Sequence, residues 1–272
     1  MRVSEYAAMF QAESEHWWYK NLRDEVVYWL GKHLQAEPPK SELKLLDLGC
    51  GTGGMLRRLQ DQFENVKGFG IDYYAVPLNF AKQVTPRPLL RADAKNLPFR
   101  RNSFDAVLCL DVLYTKEVFP VFDAVLEEIR QLLTEGGVLI LQVPAFKTLH
   151  SQHDVNVHGA HRFTAKEVCD GLQRAGFSRI CVYYRYNLLL GAAWIARKFF
   201  FRNAGQSQVS VPSPFLNASL YKYSRAESSL NRRASIPFGL SVFAVAYRCF
   251  LNMLFDDFWN ILNATLSVWC FS

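Results

Sequence analysis

The sequence lacks several features that would place it in other classes of protein. Its six cysteines form no CxxC pair and no other metal-site spacing, so reduced thiols in a cytoplasmic protein are expected. The N-terminus has no long apolar core of the kind found in a signal peptide. Apolar segments occur at 187–201 and 250–272, but charged residues interrupt each, and neither predicts a membrane-spanning helix. A composition of 50% hydrophobic and 21% charged residues is typical of a globular α/β protein.

Charge is distributed unevenly along the chain. Residues 1–140 contain 17 Lys and Arg against 19 Asp and Glu, whereas residues 141–272 contain 14 against 6. The basic second half indicates an anionic partner, such as a phosphorylated substrate, a nucleic acid or an acidic membrane surface. Solvated charge without a partner is the alternative.

Short apolar segments alternate with helical patterns between residues 43 and 186. This alternation predicts a mainly parallel sheet with helices on both faces. Strands are expected at Leu43–Leu48, Val66–Asp72, Pro88–Arg91, Phe104–Leu110, Val138–Val143, Arg179–Tyr186 and, after a break, Phe238–Tyr247. Helices are expected over 4–34, 55–63, 74–83, 118–133 and 165–175. Thr164 and Glu167 have the spacing of a capping box at the start of the last helix, and Gly176 follows its end.

These patterns divide the chain into five parts. Residues 1–42 form a helical N-terminal cap, and 43–186 form the α/β core. Residues 187–235 are an insertion that becomes polar and loop-like after 202. The last strand of the core lies in 236–249, and an apolar tail follows at 250–272.

The most informative segment is Leu45–Gly54, which has the sequence LLDLGCGTGG. An apolar strand ends at Asp47, four glycines follow within six residues, and a helical pattern begins after them. Glycines let a backbone take positive φ and approach a ligand closely, so a nucleotide-type site is expected here. The spacing of these glycines fits a dinucleotide fingerprint and also fits a different nucleotide cofactor.

Acidic residues at three successive strand ends distinguish between a dinucleotide and a different nucleotide cofactor. Asp47, Asp72 and Asp93 follow the first, second and third strands. An acid beside the glycines repels a pyrophosphate but attracts an ammonium group, and the loop contains no Lys or Arg. The pattern indicates a cationic adenosine cofactor.

Six segments together resemble the class I S-adenosylmethionine-dependent methyltransferases. They are LLDLGCGTGG at 45–54, GFGIDYY at 68–74, RADAKNLPF at 91–99, SFDAVLCLDVLYT at 103–115, LLTEGGVLILQVP at 132–144 and HRFTAKEVCDGLQRAGF at 161–177. The resemblance implies a Rossmann-like α/β fold with seven strands, the last antiparallel and inserted beside the sixth. It also implies S-adenosylmethionine as cofactor.

The resemblance assigns parts of the cofactor to individual residues. Asp47, Gly49 and Gly51 would contact the methionine part. Asp72 would bind the ribose, whereas Asp93 and Ala94 would bind the adenine. The full expected cofactor set is Asp47, Gly49, Cys50, Gly51, Gly53, Asp72, Tyr73, Asp93, Ala94 and Leu110.

A narrower likeness concerns the acceptor. EHWWYKNLR at 15–23 and SQHDVNVHGAHRF at 151–163 are similar to segments of methyltransferases that accompany surface-polysaccharide and glycolipid biosynthesis. This likeness implies O-methylation of a sugar or lipid-linked acceptor. The alternatives are a small metabolite or quinone-like ring as acceptor, or a cofactor-binding module without turnover. A nucleic-acid acceptor is not expected, because no Asn/Asp-Pro-Pro-aromatic motif follows the fourth strand.

Four histidines between residues 150 and 161 are candidates for a general base, since histidine titrates near neutral pH. We expect His153 or His161 to act as the base, with Asp154 orienting its ring. The alternatives are a polar loop bonded to backbone and a metal site, and no metal is expected.

Three further interpretations concern the surroundings of the site. Trp17, Trp18 and Tyr19 are either core residues or a lid over the cofactor, with Arg23 near its carboxylate. Asp111 and Tyr114 face the acceptor, unless Asp111 caps a helix. Segments 187–202 and 250–272 are either ordinary packing or a basic amphipathic surface that contacts a membrane peripherally.

Overall fold

A seven-stranded sheet forms the centre of the molecule. The computed structural model describes residues 3–36, 40–149, 158–190, 211–234 and 236–249. Its strands are β1 Leu43–Leu48, β2 Val66–Asp72, β3 Leu89–Arg91, β4 Phe104–Leu110, β5 Leu133–Pro144, β6 Phe177–Arg185 and β7 Ser241–Arg248. Its α-helices are α1 Val3–Ala12, α2 Trp17–Ala36, α3 Gly54–Gln62, α4 Ala75–Val84, α5 Phe122–Leu132, α6 Ala165–Arg174 and α7 Pro214–Asn231.

The strand order is β3-β2-β1-β4-β5-β7-β6. Strands β1 to β5 pair in parallel, and β7 lies antiparallel between β5 and β6. The predicted Rossmann-like sheet with its inserted last strand is thereby confirmed. In the register, Leu48 lies opposite Ile71 on one side and Cys109 on the other. The carboxyl ends of β1, β2 and β4 therefore meet at one edge, where parallel α/β sheets bind ligands.

Alternate side chains of the strands pack against helices on opposite faces, as predicted. Leu46 and Leu48 of β1 join a cluster with α5 and α6. Leu43 and Leu45 join a second cluster with α2 and α3. Complete burial of a leucine side chain contributes about 1.5–3 kcal/mol, so both faces hold the helices firmly against the sheet.

The N-terminal cap contains two helices where one helical segment was predicted. The chain turns between α1 and α2, and His16 lies just before α2. The imidazole Nδ1 of His16 accepts a hydrogen bond from the Trp18 backbone N–H at 3.2 Å. This bond satisfies one of the free N–H groups at the start of α2, which allows the second helix to begin there.

The prediction of a loop after residue 202 is wrong for 214–231, which form α7. Pro214 occupies the first helical position, where its missing N–H costs nothing. The residues that α7 buries are polar, namely Ser224, Glu227, Ser228 and Asn231. Hydrophobic periodicity could not reveal this helix, because its buried face makes hydrogen bonds.

Two smaller outcomes concern helix ends. Helix α5 begins at Phe122 rather than 118, because a 3₁₀ turn at Phe119–Val121 contains Pro120. The capping box of Thr164 and Glu167 is confirmed at the start of α6.

Candidate active site

A cavity of about 500 Å³ lies at the carboxyl edge of the sheet. A volume of this size suits a small-molecule ligand. The residues after β1, β2, β3 and β4 form its floor, and α1 and α2 cover it. The covering side chains are those of Tyr6, Met9, His16, Trp18, Tyr19 and Leu22. Pro144, Leu240 and Ser241 also line it.

The turn after β1 depends on glycine. Gly49 has φ +80°, and a Cβ there would lie 2.3 Å from Val112 Cγ2. Gly51 has φ +53°, and its N–H donates to Asp72 Oδ2 at 3.1 Å. Both glycines line the cavity, so the backbone itself forms the ligand-facing surface.

Asp72 lies at the end of β2 and is fixed by two backbone bonds. Its Oδ2 accepts from Gly51, and its Oδ1 accepts from the Tyr74 N–H at 2.9 Å. Burial raises the pKa of this carboxyl, and the two N–H donors oppose the rise. Each carboxylate oxygen retains a further lone pair, so a vicinal diol is a suitable ligand for this cavity-lining group.

Asp47 is buried behind the glycine turn and does not itself line the cavity. Asp47 is only 2% exposed, and its Oδ2 has no hydrogen-bond partner among the described residues. Burial, together with the nearby charges of Asp72 and Glu13, raises its pKa to about 7. An orphaned acid beside two others fits a cofactor that carries positive charge and opposes a pyrophosphate. The site therefore fits S-adenosylmethionine.

The remaining expected cofactor residues divide into two groups. Tyr73, Asp93, Ala94 and Leu110 line the cavity. Cys50 does not, because its thiol packs beneath β2, 2.8 Å from where a Cβ on Gly70 would lie.

Gly53 also lies outside the lining. It has φ +87° and stands immediately before α3, where a Cβ would lie 2.9 Å from that of Ala81. Its role in this structure is to bring α3 close to α4.

Asp111 follows β4 and lines the cavity beyond the glycine turn. Gln142 Nε2 donates to Asp111 Oδ2 at 2.9 Å, and Arg185 Nη1 donates to Gln142 Oε1 at 2.6 Å. Arg185 Nη2 donates in turn to Asn21 Oδ1 on α2 at 2.6 Å. Burial raises the pKa of Asp111 to about 6, against the Gln142 hydrogen bond and the charges of Arg185 and Arg162. Asp111 caps no helix here.

The histidines occupy different surroundings. His161 lies outside the cavity lining, where it stacks on Phe119 with ring centres 4.2 Å apart and has Nε2 3.3 Å from Glu167 Oε1. Burial lowers its pKa. His158 does line the cavity, with Nδ1 3.3 Å from Glu117 Oε1.

His153 and Asp154 lie outside the described residues. The roles given to them and to His161 stay predictions.

The tryptophans of α2 have different environments. Trp17 is buried and meets Tyr186 edge-on, whereas Trp18 stacks on Tyr186 with ring centres 4.0 Å apart and lines the cavity. Trp17 is thus a core residue, and Trp18 covers the site.

The N-terminal residues Tyr6 and Met9 were not predicted to reach the cavity. No motif marks them, because the helix that carries them reaches the site only through tertiary packing. Leu240 and Ser241 were also missed. The last strand was predicted beside the sixth, and its pairing with β5, which brings its first residue to the cavity, is seen only in the structure.

Comparison with known proteins agrees with this geometry. Residues 46–141 match the family model described as "Methyltransferase domain". A fatty-acid O-methyltransferase of Mycolicibacterium smegmatis is 30% identical over 100 residues, 36% of this chain and 35% of that protein. A malonyl-[acyl-carrier protein] O-methyltransferase of Geobacter sulfurreducens is 28% identical over 156 residues, 52% of this chain and 57% of that protein. The chain thus spans about a third to three fifths of these relatives.

Solved structures share the fold. A Thermotoga maritima S-adenosylmethionine-dependent methyltransferase superposes with a TM-score of 0.55 at 18% identity, over 90% of this chain and 95% of that one. A Haemonchus contortus phosphoethanolamine N-methyltransferase in complex with S-adenosylmethionine has a TM-score of 0.54 at 19% identity, over 81% and 52%. Residues 46–141 thus match a methyltransferase domain within a sheet that has the fold of class I methyltransferases, and the site fits S-adenosylmethionine as cofactor.

Proposed function

We propose that this protein transfers the methyl group of S-adenosylmethionine to an oxygen atom of a small-molecule or lipid-linked acceptor. In its most specific form, the proposal is that this oxygen belongs to a sugar hydroxyl group. The observation that carries this proposal is the position of Asp111, an acid with a pKa of about 6 in the same cavity as the glycine turn. The cofactor supplies a methyl group on a sulfonium, whose leaving group is already activated. The protein's own contribution is then to align the acceptor and to remove its proton.

In this proposal the cofactor residues keep the roles implied by the sequence. Asp47, Gly49 and Gly51 serve the methionine part, and Asp72 binds the ribose hydroxyls. Asp93 and Ala94 serve the adenine, with the other members of the expected set around them. The lining positions of Gly49, Gly51 and Asp72 support this arrangement.

Asp111 is our choice of base in place of His153 or His161. A general base works best when its pKa lies near the operating pH, and burial brings Asp111 closer to neutrality than an exposed carboxyl. Gln142 donates to Oδ2, which fixes the carboxylate and leaves Oδ1 to accept the proton of an acceptor hydroxyl. Arg185 in turn fixes the amide orientation of Gln142.

Part of the cavity lining is aromatic. Trp18, Tyr19 and Tyr114 line it together with Pro144. Flat aromatic surfaces with a few polar groups suit a sugar ring carried on a larger apolar molecule. This supports an acceptor of the polysaccharide or glycolipid type, and the insertion at 187–235 would contact it.

A panel of acceptors with radiolabelled cofactor tests the proposal. Hydroxyl acceptors, including sugar lipids, are compared with quinones, amines and carboxylic acids. Asp111→Asn is expected to lower kcat about 10²- to 10⁴-fold while cofactor affinity stays within a few fold, because a positioned base contributes that much. Asp123→Asn is the matched control, since Asp123 lies on the surface paired with Arg174. Methylation of carbon or nitrogen acceptors alone, or full activity of Asp111→Asn, contradicts the proposal.

We also propose that the surface around the insertion contacts a membrane. No helix in the described ranges has the length and apolar character to cross a bilayer. Phe215 is 84% exposed and Leu188 72%, and exposed Lys222 and Arg225 lie further along α7. Residues 191–202 and 250–272 lie outside the described residues.

Flotation with anionic liposomes tests this contact. Wild type is expected to float with the vesicles, and Phe215→Ser is expected to reduce the bound fraction. If wild-type protein is absent from the vesicle fraction, the proposed membrane contact is wrong.

A further inference from the structure

A line of buried hydrogen bonds leads to Asp111 from two helices outside the matched domain. Asn21 of α2 donates from Nδ2 to Ser228 Oγ of α7 at 3.4 Å, and its Oδ1 accepts from Arg185 Nη2 at 2.6 Å. Arg185 Nη1 donates to Gln142 at 2.6 Å, and Gln142 donates to Asp111 at 2.9 Å. The four residues that precede Asp111 in this line are each at most 5% exposed. The line therefore joins α2 and α7 to an acid of the cavity lining.

Arg185 is a buried positive charge whose two Nη atoms are held by neutral amides. It is 1% exposed, and its Nε has no hydrogen-bond partner among the described residues. The charge of Arg185 lowers the pKa of Asp111, which burial raises to about 6. Inside a protein a charge acts strongly on its neighbours, because the surroundings screen it less than water does. The direction in which this guanidinium points therefore affects the ionisation of Asp111.

Glu25 offers Arg185 a competing partner. It lies one turn after Asn21 on the same helix, and its charge also acts on Arg185. Its carboxylate accepts from Tyr183 Oη at 2.6 Å and from Arg232 Nη1 at 2.9 Å. Asn21 supplies the acceptor that holds Arg185 away from this carboxylate. Without that acceptor, we expect the guanidinium to turn toward Glu25, because opposite buried charges attract.

Four other ionisable groups interact with Asp111 or Arg185, namely Arg162, Cys109, Tyr183 and Tyr186. Burial raises the pKa of the thiol and of both phenols. These three groups are therefore neutral near pH 7. Arg162 remains as the second charge that lowers the pKa of Asp111. Its Nη1 donates to the Ala145 carbonyl at 3.0 Å, so its position does not depend on α2 through this bond.

We propose that Asn21 is a positioning residue: by holding Arg185, it keeps Asp111 oriented to remove the proton of the acceptor. This inference rests on the proposed function, in which Asp111 is the base. Trp18 lies three residues earlier on α2 and lines the cavity. The helix that covers the site therefore also positions the base, and a molecule with α2 displaced has a misplaced base.

Titration of Asp111 in the ligand-free protein tests this inference without turnover. Carboxyl ¹³C NMR of aspartate-labelled protein follows the titration, and Asp111→Asn identifies the resonance. Asn21→Leu should raise the pKa of Asp111 from about 6 by about one pH unit, because a nearby opposite charge lowers a carboxyl pKa by about 1–3. His33→Leu is the matched control, since His33 is a buried polar residue of the same helix and its ring lies near Tyr247. The control should leave this pKa unchanged.

The pH profile of kcat is the second measurement, made with a hydroxyl acceptor from the panel described above. Asn21→Leu should lower kcat about ten- to a hundredfold near neutral pH, because displacing a catalytic group by about 1 Å can cost about a hundredfold. The rise of kcat with pH should move to higher pH together with the Asp111 resonance. Affinity for S-adenosylmethionine should stay within about twofold, since Asn21 does not line the cavity. A loss of cofactor affinity as large as the loss of kcat overturns the positioning role.

Asn21→Ser is the second variant if a thermal melt shows that Asn21→Leu does not fold, because its shorter side chain also withdraws the acceptor from Arg185. A folded variant in which Asp111 titrates as in wild type overturns the inference. An equal rise of the pKa in His33→Leu also overturns it, since the cause is then a general loosening of α2. Full activity of Asp111→Asn shows that the proposed function is wrong, and the role of Asn21 with it. If Asp111→Asn is inactive and Asn21→Leu turns over like wild type, only the role of Asn21 is wrong.

Discussion

Replacement of Asp47 by asparagine should stabilise the ligand-free protein at neutral pH, although we propose that Asp47 serves the cofactor. Asp47 is buried, and one of its oxygens has no partner among the described residues. Burial raises its pKa from 3.8 to about 7. For an acid with a raised folded-state pKa, the favourable contribution is complete below the unfolded value, near pH 4. It is lost as the pH rises through the folded value, near pH 7.

The size of the effect follows from this rise in pKa. A change from 3.8 to about 7 corresponds to about 4 kcal/mol of unfolding free energy between pH 4 and pH 8. This is a large part of the total stability of a typical domain. Asparagine has no carboxyl to ionise, so the variant should not lose this contribution.

Denaturant unfolding at a series of pH values between 4 and 8 measures the difference. The free energy of Asp47→Asn minus that of wild type should increase by about 4 kcal/mol across this range. Asp61→Asn serves as control, because Asp61 is half exposed and pairs with Arg57 at 3.0 Å. Its curve should stay parallel to that of wild type. Parallel curves for Asp47→Asn would refute the reasoning about a buried, unpaired acid.

Three further changes have expected outcomes. Gly49→Ala should destabilise the protein by about 2–5 kcal/mol, because the new Cβ combines a positive φ with a 2.3 Å contact. Gly31→Ala within α2 should instead stabilise the protein slightly. Denaturant unfolding of both variants checks that the two changes in unfolding free energy have opposite signs. Thr164→Ala should cost about 1 kcal/mol through loss of its cap, and an unchanged melting midpoint would count against it. Gln142→Leu should raise the pKa of Asp111 above about 6 by removing its donor, as a carboxyl ¹³C NMR titration would show, and a lowered pKa would contradict the network.

The fold could be predicted from the sequence because its signals are local. Gly49 and Asp72 mark the ends of the apolar strands β1 and β2. The capping box at Thr164 depends only on residues that are close in the sequence. The polar helix α7 could not be found in this way. Its Glu227 accepts from the backbone N–H groups of Tyr186 and Asn187, forty residues away along the chain. Only the folded chain reveals those partners.

The candidate site, like the fold, has parts that the sequence predicts and parts that depend on tertiary contacts. Glycines and acids at strand ends are close to the cavity because the carboxyl ends of the parallel strands β1 to β4 lie at one edge of the sheet. The pKa of Asp111 depends on Gln142 and Arg185 from two other strands, and the approach of Tyr6 and Met9 to the cavity depends on how α1 packs. Neither set of contacts could be predicted from the spacing of residues along the sequence.

The most direct measurement of the central claim is a calorimetric titration of the wild-type chain with S-adenosylmethionine and, separately, with NAD. The acids Asp47 and Asp72 around the glycine turn predict saturable one-to-one binding of S-adenosylmethionine and no binding of NAD. Binding of NAD in its place, or no binding of S-adenosylmethionine, would contradict the account.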